Sequence, residues 1–180
     1  VPEPFLVIAT QNPQGSAGTQ LLPEAQVDRF MVSLSVGYPD FDSELAMVMG
    51  VWEQSRVEEI QPVFDAGTLQ KMQEDVDRVY LKETVGEYIV RLVRATREHP
   101  DLYCGGSPRA SIALVRMARA AAWMNGRDYV LPSDVEEQFP YCIRHRISLA
   151  GTARMNGQKR EAVIREILGQ IRRPSMGMRR

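Results

Sequence analysis

Three polar side chains stand where the chain could handle a phosphate group. Asn12 closes the phrase ATQNP, just after the apolar run FLVI at positions 5–8. Ligands of an open α/β sheet sit beyond the carboxyl ends of its strands. An amide there can hold a water or a phosphate oxygen without adding negative charge. Asn-Pro also starts turns, so the phrase leaves both possibilities open. Arg29, in LPEAQVDRF at 22–30, ends a short predicted helix against the next apolar run. Its permanently charged, forked guanidinium suits it to reach a phosphoryl group on an adjacent molecule and stabilise transition-state charge. The alternative is a local surface pair with Asp28, worth little. Arg109, in GGSPRAS at 105–111, falls in the first turn of a helix that Ser107 caps and Pro108 opens. A cation there opposes the helix dipole unless an anion is present. Arg109 is therefore either a phosphate ligand or a solvated side chain at a helix start.

The elements that would position these residues change character along the chain. FLVIAT (5–10) and MVSLSV (31–36) are short apolar runs, predicted as buried strands of a parallel sheet. GYPD at 37–40 breaks that pattern, and the rest is helical. Helices are predicted from Asp42 or Ser43 to about Ser55, over Thr68–Asp75, Thr84–His99, Ser107–Asn125 and Lys159–Ile171. A capping box at Ser133–Glu136 opens one more, which Pro140 limits or kinks. Val79–Leu81 and Arg146–Ala150 are predicted as brief extended pieces. The fold class is mainly α with a small β part. The divisions are 1–40 (strands and loops), 41–61 (connecting helix and linker), 62–173 (helical bundle) and 174–180 (basic, disordered tail). Two strands alone are marginal, so a partner for them is missing.

Composition removes several function classes. At 180 residues, 44% hydrophobic and 25% charged, the chain is an ordinary globular sequence with no apolar stretch of membrane-spanning length. VPEPF has no signal-peptide character, and its direct entry into a strand-like run points to a piece of a longer protein. Two cysteines make no disulfide framework, which favours a reducing cytoplasm. Charge is polarised: residues 1–100 hold 8 Lys/Arg against 16 Asp/Glu (−8), and 101–180 hold 14 against 7 (+7). Such polarity suits opposed faces meeting neighbours, a basic half meeting phosphate, or two solvated faces. Cys142 and His145, with Cys104 and His99, lack the Cys-x-x-Cys pairs of structural zinc sites, so no metal is assigned. The tail RRPSMGMRR has no interleaved aromatics, and specific nucleic-acid binding is not expected of it.

Taken together, PFLVIATQNP, GT-x-x-LPEAQ-x-DRF, GYP, EYIVRLVRATRE, SPRAS, GRDYVLPSDV and RHRI resemble the MoxR family of AAA+ ATPases over nearly the whole chain. The resemblance implies the end of a P-loop ATPase core in residues 1–40, then a helical lid. It implies that Asn12 is the sensor 1 residue, Arg29 the arginine finger presented to a neighbouring subunit, and Arg109 the sensor 2 arginine. It also implies ATP and Mg2+ as cofactors, a hexameric ring, partners with von Willebrand factor A domains, and a role in remodelling or maturing other proteins. The chain departs from the family in lacking G-x-x-x-x-G-K-[ST] and the Asp-Glu pair that ends the magnesium-binding strand. By itself it is expected to bind ATP weakly and not to hydrolyse it. Two other functions compete: a free-standing helical interaction module, and a basic nucleic-acid adaptor acting through residues 101–180, whose binding would weaken steeply with salt.

Overall fold

The amphipathic stripe of one central helix organises the molecule. The structure is a computed structural model that describes residues 3–11, 22–50 and 60–175. Its helices are α1 (Glu24–Val27), α2 (Phe41–Val48), α3 (Ala66–Arg78), α4 (Glu83–Glu98), α5 (Pro108–Met124), α6 (Pro132–Ile143), α7 (Gly151–Met155) and α8 (Arg160–Gln170). Two short strands, β1 (Leu102–Cys104) and β2 (Ser148–Leu149), pair antiparallel with Leu102 opposite Leu149. On α4, Val85, Tyr88, Ile89, Leu92, Val93 and Thr96 recur at three- and four-residue spacing and are all buried. The opposite face carries exposed Glu87–Arg91 and Arg94–Glu98 pairs, which keep it wet and add little stability.

Against α4 lie α5, α6 and α8. The buried face of α5 is mostly alanine (Ala110, Ala113, Ala118, Ala122, with Leu114), which lets its neighbours approach closely. Phe139 and Ile143 of α6 and Val163, Ile164 and Ile167 of α8 complete the core. The expected extended piece at 79–81 takes part in a bridge to the segment before α6: Tyr80 N–H donates to Asp128 O and Val130 N–H to Tyr80 O.

Gly105 and Gly106 allow close approach between chain segments. A Cβ on Gly105 would lie 2.6 Å from the backbone of Thr96 and Arg97, and one on Gly106 2.6 Å from Ile143 Cδ1. The pair therefore seats the start of α5 directly on the last turn of α4.

Several expectations are corrected. FLVIAT and MVSLSV do not form strands. Phe5, Leu6, Val7 and Ile8 are exposed, Ile8 at 90%. A strand needs a ladder partner and a cover for its faces, and the described residues supply neither. The second run is held by Ser33 N–H donating to Tyr141 O and by Val32 against the core. Asp40, not Asp42 or Ser43, caps α2 by accepting from Ser43 N–H, and the remainder of that expected helix falls partly in 51–59, outside the described residues. Asp65 caps α3 in the same way through Thr68 N–H, so α3 is longer at both ends than expected. The capping box at Ser133–Glu136 is absent, because α6 starts two residues earlier, with Leu131 in the cap position and Pro132 at N1. Pro140 lies inside α6 without ending it. Among the described residues no helix is long and apolar enough to cross a membrane.

Candidate functional site

Residues 28–33 run over the junction between the start of α5 and the end of α6. Arg146, three residues past α6, holds them there with its side chain only 2% exposed. Its Nε donates to Asp28 Oδ1 (3.1 Å), Nη2 to Asp28 O (3.0 Å) and Phe30 O (2.6 Å), and Nη1 to Met31 O (3.2 Å) and Cys142 O. Burial holds the guanidinium pKa below its usual value, and the Asp28 carboxylate offsets only part of that. His145 Nε2 lies 3.0 Å from Phe30 O, and Ser148 Oγ donates to Glu24 Oε1, anchoring α1.

The Asp28 carboxylate is the anion that the position of Arg109 called for. It accepts from Ser107 Oγ at 2.9 Å to each oxygen and lies 3.4 Å from Arg109 Nη1. Ser107 at the same time caps α5, its Oγ accepting from Arg109 N–H. The helix start thus meets an internal carboxylate, which favours its exposed N–H groups. The hold on Arg109 is long, and its side chain stays 60% exposed. Arg29, between the pinned residues, is exposed and makes no side-chain hydrogen bond or ion pair among the described residues. The alternative, a local Asp28/Arg29 pair, does not form. Asn12 lies outside the described residues.

The structure therefore brings Arg109 to the carboxylate of Asp28, the residue just before Arg29. It adds four residues that the sequence reasoning did not assign to a site: Asp28, Ser107, His145 and Arg146. One signal for Arg146 was present, an arginine set between Ile143 and Ile147 where flanking residues are buried.

Cys142 and His145 gain no third candidate metal ligand among the described residues. The Cys142 thiol is buried, which pushes its pKa up to about 11, and His145 is spent on Phe30. No group of three His, Cys, Asp or Glu that could hold a metal occurs among the described residues, so none of them fits Mg2+. The two arginines do fit an anionic polyphosphate, one uncommitted and one loosely held.

Burial, then the neighbouring Arg146 charge, lowers the His145 pKa, outweighing the Phe30 carbonyl and Asp28. The neutral ring is thus favoured in the folded state. Stability is whole above about pH 6.5 and falls as pH drops below it, where the unfolded chain takes up the proton first. The loss levels off below the folded-state pKa. His145→Gln is expected to remove part of the fall in melting temperature between pH 7.5 and 5. The Ser43 and Thr68 N–H groups hold the carboxylates of Asp40 and Asp65 below their usual range, so these two do not contribute to that fall.

The helical bundle thus grips the loop that carries Arg29 beside the start of α5, where Arg109 lies in the first turn. Residues 94–167 match the AAA lid domain, and residues 1–32 match the ATPase family associated with various cellular activities (AAA). The protein YeaC of Bacillus subtilis is 42% identical over 96% of this chain and 54% of its own length. Chaperone MoxR1 of Mycobacterium tuberculosis is 36% identical over 98% of this chain and 48% of its own. The crystal structure of a protein of Cytophaga hutchinsonii, assigned as an ATPase, superimposes with a TM-score of 0.85 at 36% identity over 96% of this chain and 55% of that one. The chain belongs to the MoxR family of AAA+ ATPases and corresponds to its C-terminal, lid-bearing portion. It spans about half the length of the curated relatives it matches.

Proposed function

We propose that this chain forms the lid and the closing edge of the core in a ring-forming machine, which uses ATP hydrolysis to remodel or mature partner proteins. The observation that supports this most directly is Arg29, an exposed and uncommitted cation on a backbone pinned on both sides. A fixed backbone lets a guanidinium reach a neighbouring subunit at low cost in conformational freedom. In this role Arg29 is the arginine finger, donating to γ-phosphate oxygens as charge develops on them. Arg109 is the sensor 2 residue, exchanging the Asp28 carboxylate for a phosphate oxygen of the ATP beneath its own lid. Asn12 is the sensor 1 residue that orients the attacking water. Mg2+, when bound, offsets phosphate charge, and its ligands lie outside the described residues. Proteins with von Willebrand factor A domains are the proposed partners and the cytoplasm the proposed compartment, in keeping with free Cys104 and Cys142.

A site completed by a neighbouring subunit makes turnover depend on assembly. In the full-length protein, ATP hydrolysis per subunit is expected to fall on dilution, in step with dissociation seen by sedimentation. Turnover per subunit that stays constant down to the monomer would overturn the shared site.

A further inference from the structure

We propose that Arg146 is the positioning residue for Arg29: a buried lid arginine that fixes the aim of the exposed one. The inference rests on the finger role given to Arg29 above. Arg146 has five N–H donors, and all five are used, on the Asp28 carboxylate and on the carbonyls of Asp28, Phe30, Met31 and Cys142. Three of the four carbonyls from 28 to 31 are engaged, those on either side of Arg29 included. Phe30 O is held twice, since His145 Nε2 also lies 3.0 Å away.

A segment held only for stability would need no more than an apolar anchor, and burying a charge for that purpose is a poor exchange. Here the burial secures something an anchor cannot, the placement of a backbone stretch whose one unpaired side chain points out. Arg146 belongs to the lid, beyond α6, while Arg29 lies 117 positions earlier at the edge of the core segment. Movement of the lid therefore carries the finger with it. Asp28, which Arg146 grips, also holds Arg109, so the arginine proposed to sense a subunit's own nucleotide and the one aimed at the neighbour's share a single fixed point. Only a planar fork can serve these five acceptors at once, and a lysine ammonium has three donors and no fork.

The test uses full-length protein in four forms: wild type, Arg146→Lys, Arg29→Ala and the double variant. Steady-state ATP hydrolysis, equilibrium nucleotide binding and thermal unfolding are measured on each. Arg146→Lys is expected to lower kcat by about 10- to 100-fold, the cost of a catalytic group displaced by about an ångström, with nucleotide affinity kept. The double variant is expected to match Arg29→Ala and fall no lower, because a misplaced finger and an absent one are the same defect. If Arg146→Lys turns over normally while Arg29→Ala does not, the positioning role is overturned and the finger stands. If Arg29→Ala itself turns over normally, the finger fails and this inference with it. A double variant worse than Arg29→Ala by the full Arg146→Lys factor makes Arg146 merely structural and also overturns the proposal. Should Arg146→Lys not fold, Arg146→Gln, which removes the buried charge and keeps two donors, takes its place under the same criteria.

Discussion

Replacing Arg29 by alanine in the full-length protein is expected to slow ATP turnover about a thousandfold or more, with nucleotide binding largely retained. The two effects separate because the guanidinium meets the phosphoryl group most strongly when negative charge has built up on it. An interaction stronger in the transition state than in the ground state appears in kcat and not in affinity. A thousandfold loss is about 4 kcal/mol of barrier. Folding is expected to be unaffected, since Arg29 is exposed and has no side-chain partner among the described residues. Arg29→Lys restores the charge without the fork, so turnover between that of alanine and wild type is expected. The measurements are steady-state hydrolysis, equilibrium nucleotide binding and a melting curve. An Arg29→Ala protein that hydrolyses at the wild-type rate removes the finger role. One that loses binding as severely as turnover assigns Arg29 to ground-state recognition instead.

The helical half was the more legible, because its determinants are local. The stripe from Val85 to Val93 specifies one buried face, and Ser107-Pro108 specifies a helix start that the structure has at the expected residue. Boundaries slipped where a neighbouring aspartate competed for the cap. Asp40 and Asp65 each stand three residues before the N–H they accept and lengthen their helices toward the N-terminus. The apolar runs FLVIAT and MVSLSV look like buried strands because their composition records a cover that the described residues do not provide. What no local pattern could show was the site's frame. Asp28 was weighed against its neighbour Arg29, yet its partners Ser107, Arg109 and Arg146 lie 79, 81 and 118 positions away. Pairings at that separation depend on the fold being complete. The phrases SPRAS and RHRI therefore signalled a family well before they signalled a contact.

The phrase GRDYVLPSDV hides a second such contact, and breaking it is expected to have the largest effect on stability. Arg127 meets Asp134 as a fork on a fork, Nη1 2.7 Å from Oδ2 and Nη2 2.6 Å from Oδ1. Asp134 also accepts from Leu131 N–H at 2.8 Å, closing the first turn of α6, and Arg127 Nη1 reaches Tyr129 O at 3.1 Å. The aspartate side chain is 4% exposed, and its hydrogen bonds to Arg127 hold the guanidinium pKa above its usual value. Asp134→Ala strands a half-buried cation and an uncapped N–H together, at a cost of about 3–5 kcal/mol. For a chain of this length that corresponds to a fall in melting temperature of roughly 6–20 °C. Removing Arg127 as well takes away the stranded charge, so the double alanine variant is expected to be more stable than Asp134→Ala alone. A loss below about 1 kcal/mol, or a double variant weaker than the single, would show the pair to be incidental. Asp134 opens α6 while Arg146 follows its far end, about 18 Å along a 12-residue helix. Well below its melting temperature, then, Asp134→Ala full-length protein is expected to hydrolyse ATP at the wild-type rate. The residues that keep the lid folded are thereby separated from those that aim its charges.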